Sequence, residues 1–170
     1  MNYYSPSQSQ RLRYRLLTAD DKVIWKRFFT QEKSTLYFPD FMRAPDSANI
    51  WIDKQMERYT TNRFGLLAIE LQSTGEFIGQ CGLLTQDVNG TEVLEIGYHL
   101  FEEHTGKGYA REAANHFKSL INKVSDFKEV CSIIHKENVP SQWVARSNGM
   151  KVKERTMYHG IEVDIFAVEI

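Results

Sequence analysis

Hydrophobic and polar positions change their spacing repeatedly along the chain, and each change marks a predicted element. Residues 11–17 alternate, with Leu12, Tyr14 and Leu16 on one face, which is typical of a half-buried strand. Polar and acidic residues at 18–21 then favour the start of a helix. We expect this helix to bury four apolar side chains, Val23, Ile24, Trp25 and Phe28.

Three further stretches show the three- and four-residue spacing of amphipathic helices. Residues 30–46 hold prolines and mixed aromatics, which indicates a loop with at most one helical turn, and a helix is predicted after it over 46–59. The longest helical pattern, 108–124, has one apolar stripe opposite charged side chains. A shorter helix is predicted over 138–147, ended by Gly149.

Six more stretches have the pattern of strands, most of them joined by short turns. Residues 64–71, 76–84 and 92–101 are separated by turn signals, of which Asn89-Gly90 is the strongest, so three antiparallel strands are expected in succession. The other three strands are predicted at 129–134, 152–158 and 162–169.

The resulting element order is β α α β β β α β α β β. It predicts an α+β fold, with a mixed, mostly antiparallel sheet of seven strands flanked by about four helices. The strand-helix-strand unit over 92–134 requires a crossover, so its two strands should be parallel. We expect a single domain over residues 11–170, preceded by a loose, polar and flexible segment at residues 1–10.

Composition narrows the classes of partner. The 170 residues include 21 Lys and Arg and 22 Asp and Glu, a net charge of −1 that gives no reason to expect binding to nucleic acid or to an anionic membrane. No apolar run approaches the ~18 residues of a membrane span, and no secretory leader is recognisable, so we expect a cytoplasmic protein. The two cysteines, Cys81 and Cys131, are expected to be reduced and buried.

The turn at 105–110 is the most informative segment, because it joins a predicted strand directly to the longest helix. The first turn of a helix has free backbone N–H groups and a partial positive charge, and glycines there let a ligand approach, which suits a phosphate or pyrophosphate. The turn is too short for a Walker loop, and Arg111 replaces the third glycine of a dinucleotide-binding motif.

This turn resembles the coenzyme A signature of the GNAT family of N-acetyltransferases, Gln/Arg-x-x-Gly-x-Gly/Ala, and in particular its branch of Rim-type ribosomal-protein amino-terminal acetyltransferases. Gly108 and Ala110 match the last two fixed positions, while Thr105 stands where Gln or Arg is usual. The resemblance continues through most of the chain, from the strand segment 95–98 to Asn138-x-x-Ser141. It implies a GNAT-like sheet, acetyl-CoA as cosubstrate, and no metal.

The resemblance also implies a set of residues that hold coenzyme A. The pyrophosphate would be held by the backbone amides of Thr105, Gly106, Lys107, Gly108, Tyr109 and Ala110. Leu100 and Phe101 would pair with the pantetheine arm as an added strand does, and Asn138 would contact the cofactor from the next strand-helix junction. The Lys107 side chain either adds charge near a phosphate or is an ordinary solvated lysine.

Acetyl transfer to an amine requires a base, and the leaving thiolate benefits from an acid. Glu95 is the candidate base, with a surface carboxylate as the alternative interpretation, and Ser141 either serves the thiol or is an ordinary helix serine. The tyrosine acid that many members place on the last helix would fall near Ala145 and is missing. His99 and His104 are five residues apart and bracket the end of the strand predicted to bind the cofactor, but no third ligand accompanies them as a metal site would require.

The aromatic residues at 25–41 either belong to the core or shape the mouth of an acceptor site. We therefore expect an N-acetyltransferase that acts by direct transfer on a primary amine, either a protein amino terminus or a small amine. The alternative is a non-catalytic regulatory module that binds acyl-CoA. The family leads us to expect a monomer or a homodimer.

Overall fold

One mixed sheet of eight strands organises the molecule, in the order β1-β2-β3-β4-β5-β6-β8-β7. The structure is a computed structural model that describes residues 2–170. The strands are β1 (Ser7–Gln8), β2 (Leu12–Arg15), β3 (Phe64–Leu71), β4 (Phe77–Val88), β5 (Thr91–Leu100), β6 (Glu129–His135), β7 (Lys151–Tyr158) and β8 (Ile161–Glu169). Neighbouring strands are antiparallel except β5 and β6, which are parallel. The predicted α+β class and parallel crossover are confirmed.

Five α-helices flank the sheet within residues 2–170. They are α1 (Asp21–Thr30), α2 (Glu32–Thr35), α3 (Ser47–Thr60), α4 (Tyr109–Val124) and α5 (Val139–Ser147). Four of them are the predicted helices, and the four-residue α2 lies in the predicted loop at 30–46 together with a 3₁₀ turn, Asp40–Arg43. No helix in the described chain is both long and apolar enough to cross a membrane.

The sheet has eight strands rather than the predicted seven, because β1 forms within the segment that we expected to be loose. Ser7 and Gln8 pair with β2. Tyr3 is buried, and its hydroxyl donates to the carbonyl of Gly65 and accepts from the amide of Leu83. A lone aromatic among polar residues gives no periodic signal, so the sequence pattern did not reveal this docking.

The sheet buries apolar side chains on both faces. On one face, α4 packs over β4 and β5 in the largest apolar cluster, and on the other α1 and α3 enclose Trp25, Phe28 and Ile52. The prediction that α1 buries Val23 and Ile24 is wrong, since Val23 is 77% exposed. The reason is that α1 docks through the stripe of Asp21, Trp25 and Phe28, which an ion pair between Arg15 and Asp21 holds in register.

The parallel strands β5 and β6 pair at a single position in the described chain, between Glu95 and Cys131. The strands separate beyond that point, and side chains bridge the gap: the Ser132 hydroxyl donates to the carbonyl of Ile96 at 2.8 Å. We call this opening the wedge between β5 and β6. It leaves one edge of β5 without a neighbouring strand, as far as Leu100.

Candidate functional site

The turn before α4 adopts a shape that depends on its two glycines. After β5, a 3₁₀ turn over Glu102–His104 leads to Gly106 with φ +73° and Gly108 with φ +81°. Both values lie in the left-handed region that other residues avoid. A Cβ atom at Gly106 would meet no other atom within 4 Å, so the space beside this turn is open.

The amides of residues 106–111 donate to no acceptor within residues 2–170. They lie at the positive end of the sixteen-residue α4. The neighbouring acid Glu103 is paired with Arg27 at 2.7 Å, so its charge does not oppose an anion at the turn. Such a set of free donors fits the pyrophosphate that the sequence predicted there.

An ion pair between Arg11 and Glu112, which we call the clamp, contacts the backbone of the turn. The Glu112 carboxylate accepts from the backbone and guanidinium nitrogens of Arg11 and from the Ser9 hydroxyl, each at 2.7 Å. The same guanidinium donates to the carbonyl of Lys107 at 3.1 Å and lies 4.5 Å from the centre of the Tyr109 ring. Burial alone would raise the pKa of Glu112, but the hydrogen bonds from Arg11 and Ser9 lower it below its usual value. Sequence reasoning missed this clamp.

Replacing Glu112 with alanine should lower the free energy of unfolding by about 1–3 kcal/mol, because it strips Ser9 and Arg11 of their acceptor. Urea denaturation of the protein without ligand measures this difference. Glu129→Ala is the matched control, since Glu129 also makes an ion pair but is far more exposed, and we expect it to stay within about 0.5 kcal/mol of wild type. Equal losses in the two variants would argue against the clamp.

Leu100 and Phe101, which were expected to pair with a pantetheine arm, lie at the open end of the wedge with their side chains buried. The amide of Phe101 donates to the carbonyl of Ile78, and its own carbonyl accepts from His104. Phe101 is therefore already bonded within the protein. The edge of β5 that is free for pairing is formed by the residues before it, up to Leu100.

Asn138 and Ser141 lie across the wedge, at the start of α5. Asn138 caps this helix, its side-chain oxygen accepting from the amide of Ser141 at 3.3 Å. The carbonyl of Ser141 accepts from the Tyr98 hydroxyl at 2.8 Å. Burial raises the pKa of Tyr98, so this hydroxyl stays protonated. Ala145 occupies the position on α5 where a tyrosine was expected. Tyr98 of β5 nevertheless contacts the start of this helix. In the sequence, Tyr98 was identified only as part of a strand.

Glu95 lies on the opposite face of β5 from Tyr98, and it is half-buried rather than a surface carboxylate. Burial raises its pKa, although a hydrogen bond from the Gln86 side chain at 2.8 Å acts in the other direction. Gln86 in turn accepts from Arg58 at 3.2 Å. A buried polar chain therefore runs from α3 through β4 to Glu95 and fixes the orientation of its carboxylate.

Four half-buried rings pack against one another farther along the same face, at the edge of the apolar cluster of α1 and α3: Phe29, Phe38, Trp51 and His99. The centre of the His99 ring lies 4.9 Å from that of Trp51 and 5.7 Å from that of Phe38. Burial lowers the pKa of His99 to about 4, so the imidazole is neutral at pH 7. Part of the predicted aromatic group is thus core, as Trp25 is, and part of it lines an opening.

Stability should fall more steeply in acid for the wild-type protein than for His99→Phe. Because the folded pKa of His99 is about 4 and its ordinary value is 6.5, the unfolded chain takes up a proton first as the pH falls between these values. The wild type should therefore lose about 2 kcal/mol relative to the variant between pH 6.5 and 4.5. Urea denaturation of both proteins at the two pH values measures this, and parallel losses would contradict it.

A groove of about 390 Å³ has Phe38, one of these four rings, in its lining. The segment 36–43 forms one wall, and the end of β6 and the β7–β8 hairpin form the other. Tyr37 stacks on His135 with 4.9 Å between the ring centres, and Phe41 packs edge-on against His159. Aromatic rings therefore stand on both walls of this groove.

A protein-family model matches most of the chain. The family model described as "Acetyltransferase (GNAT) domain" matches residues 11–151. An uncharacterised protein of Bacillus subtilis, YkkB, is 26% identical over 150 residues, which are 88% of this chain and 87% of YkkB.

Two solved structures share the fold. An acetyltransferase from Agrobacterium tumefaciens has a TM-score of 0.81 at 23% identity, covering 96% of this chain and 94% of the other. Mycobacterium smegmatis RimJ, solved in complex with CoA-disulfide, has a TM-score of 0.78 at 18% identity, covering 98% of this chain and 88% of the other.

Proposed function

The chain belongs to the GNAT acetyltransferase family, and from that premise we propose that it transfers the acetyl group of acetyl-CoA directly to a primary amine. The observation that carries this proposal is the row of amides at 106–111, which have no acceptor in the described chain and lie beside the wedge. An anionic pyrophosphate would bind the free amides, and an extended, strand-like arm attached to it would pair with the free edge of β5 in the wedge. The CoA-disulfide bound to the RimJ of Mycobacterium smegmatis supports the same choice of ligand.

The turn before α4 and the free edge of β5 would bind different parts of the cosubstrate. The amide of Thr105, which was predicted to join this set, already donates to the carbonyl of Glu102 at 3.1 Å. The amides of residues 106–111 would therefore hold the pyrophosphate, and the free edge of β5 up to Leu100 would pair with the pantetheine arm. Asn138 caps α5 across the wedge with its side-chain oxygen, and its amide nitrogen would donate to the cosubstrate. When bound, acetyl-CoA supplies a thioester carbonyl that is open to attack and a thiol that can leave.

Glu95 would take the proton from the acceptor amine. A carboxylate whose pKa is raised by burial is better matched to this task near neutral pH than an exposed one. Gln86 keeps the carboxylate in one orientation. On the other face of β5, Ser141 or Tyr98 would protonate the leaving thiolate. The hydrogen bond from the Tyr98 hydroxyl to the carbonyl of Ser141 holds both residues at the start of α5.

The acceptor is a primary amine, such as a protein amino terminus or a small amine. Similarity to RimJ supports the former, although that similarity is one of fold. The acetyltransferase domain would comprise the predicted residues 11–170 together with Tyr3 and β1, which pack into the same sheet. It would act in the cytoplasm and be a monomer or a homodimer. No metal takes part in the proposed reaction.

The proposal is tested by measuring cosubstrate binding and turnover separately. Acetyl-CoA at one hundred times its Kd should stabilise the fold by about 2.7 kcal/mol, seen as a rise in melting temperature. Turnover is followed by thiol release with a panel of amino-terminal peptides, amino acids, polyamines and aminoglycosides. Binding without turnover on any amine would favour the non-catalytic acyl-CoA-binding module, and the absence of binding at millimolar acetyl-CoA would refute both.

A further inference from the structure

The Glu95 carboxylate accepts a hydrogen bond from the side-chain amide of Gln86, whose Nε2 donates to its Oε2 at 2.8 Å. Gln86 is the diagonal neighbour of Glu95 across β4 and β5, because Glu95 lies directly opposite Leu84. A glutamine amide has donors at one end and an acceptor at the other. The end that faces Glu95 therefore decides whether the carboxylate or the protonated acid is stabilised.

Arg58 determines which end of the Gln86 amide faces Glu95. Its Nη2 donates to the side-chain oxygen of Gln86 at 3.2 Å, and its Nη1 donates to the carbonyl of Thr85 at 3.0 Å. A guanidinium group has donors and no acceptor, so the oxygen of the amide must face Arg58. The amide nitrogen is then left to donate to Glu95. We call Arg58 and Gln86 the relay.

The relay is fixed from behind by the backbone of β4. Arg58 is buried, and its hydrogen bond to the carbonyl of Thr85 does not involve Glu95. A second arginine, Arg63, donates from Nε to the hydroxyl of the same threonine at 3.2 Å. A buried guanidinium that is anchored in this way keeps its donors towards Gln86, so the amide has one stable orientation.

The ionisable groups that act on Glu95 come from four elements of the described chain. Arg58 of α3 is a cation, and its charge favours the carboxylate. Tyr98 of β5, Cys131 of β6 and Tyr158 of β7 also act on it, and burial raises the pKa of each, so all three are neutral at pH 7. Arg58 and the N–H of Gln86 therefore oppose burial, which by itself favours the protonated acid.

On the basis of the proposed function, we propose that Arg58 and Gln86 are positioning residues that hold Glu95 in its ionised form, ready to accept a proton from the amine. Arg58 acts through Gln86, and Gln86 acts through its hydrogen bond to the carboxylate. The proton passes from the amine nitrogen to Glu95 and no further, because the N–H groups of the relay offer it no acceptor.

The protonation of Glu95 can be measured without any substrate. In protein labelled with carbon-13 glutamate, its carboxyl signal is the one that Glu95→Gln removes, and titration followed by NMR gives the pH of half-protonation. Gln86→Met, which has neither donor nor acceptor, should raise that pH by about one unit, the contribution of one hydrogen bond to a charged group. Gln86→Glu still bonds to Arg58 but presents only oxygen to Glu95, so it should raise the value further.

Arg58→Met should raise the same value, because the amide loses the partner that orients it and Glu95 loses a facing cation. Arg58→Lys retains a cation and should give a smaller rise, and it replaces Arg58→Met in the test if that variant does not fold. Gln72→Met is the matched control, since the side-chain nitrogen of Gln72 also donates hydrogen bonds, to the carbonyls of Ser9 and Leu12. It should leave the titration of Glu95 unchanged.

The dependence of kcat/KM on pH connects the relay to turnover, using the amine that is acetylated fastest in the panel above. In Gln86→Met, the fall in acid should begin about one pH unit higher, so that kcat/KM at the acid end is roughly tenfold below wild type and recovers as the pH rises. The titration of the amine itself is common to all variants. A loss of structure alone would lower the rate equally at every pH.

An NMR titration of Glu95 that is unchanged in Gln86→Met and in the Arg58 variant would overturn the inference and leave the proposed function intact, since Glu95 could act as the base without the relay. A titration that moves while the pH profile of kcat/KM does not would also overturn it. If no amine is acetylated, the proposed function fails, and the NMR titration alone decides whether the relay holds Glu95 ionised.

Discussion

Gly106→Val should abolish the rise in melting temperature that acetyl-CoA gives the wild-type protein, which we expect to be roughly 5–10 °C when the ligand is at one hundred times its Kd. Valine is poorly tolerated at φ +73°, and its branched side chain would occupy the open space beside the free amides of the turn. Both effects act on the residues proposed to hold the pyrophosphate, so we expect affinity to fall at least a hundredfold. Differential scanning fluorimetry with and without acetyl-CoA measures it.

Gly75→Val is a closely matched control for backbone strain. Gly75 has φ +75° and, like Gly106, a Cβ atom there would meet nothing within 4 Å, but it lies in the turn between β3 and β4. Both variants should melt at lower temperature without ligand by a similar amount, and Gly75→Val should keep its full response to acetyl-CoA. A response that is lost in both, or kept in both, would show that the turn at 105–110 is not the ligand site.

Glu95→Gln should lower kcat by about a hundredfold to a thousandfold near neutral pH and leave the thermal response to acetyl-CoA unchanged. The amide keeps the size of the side chain and can still bond to Gln86, but it cannot accept the proton. In the wild type, kcat/KM should fall as the pH drops below the pKa of Glu95, which burial places above its ordinary value. The variant should lack this limb of the profile.

Glu92→Gln, an exposed carboxylate on the same strand, provides the comparison and should retain wild-type rates. A Glu95→Gln protein that turns over normally would remove Glu95 as the base. The amine would then have to lose its proton to another group or to water.

The part of the site that could be predicted from the sequence is the part that is contiguous in the chain. The turn at 105–110, the strand before it and the helix after it are local patterns, so glycine spacing and apolar periodicity sufficed to place them. Asn138 was found for the same reason, because the start of a helix can be recognised from the capping residue and the residues next to it. The single parallel crossover followed from chain connectivity alone.

The residues that were missed are those whose role depends on distant partners. Arg11 and Glu112 were assigned to a strand and to a motif, but the clamp exists only when the two elements meet. The additional strand, β1, lies next to Tyr3, which packs into a space left by Gly65 and Gly82. A Cβ atom on Gly82 would collide with the hydroxyl of Tyr3. The neutral state of His99 likewise arises from rings on three different elements. None of these features has a period that a sequence pattern could reveal.

The docking of the N-terminal residues has a consequence for the order of events during synthesis. Tyr3 bonds to residues 62 and 80 positions later, and Arg11 to one 101 positions later. Tyr3 is made before both of its partners and waits until about half of the chain has been translated, and Arg11 waits for Glu112 until about two-thirds has been translated. Such long-range contacts close slowly. The polar composition of residues 1–10, from which we predicted a loose segment, fits the nascent chain during that interval better than it fits the folded protein.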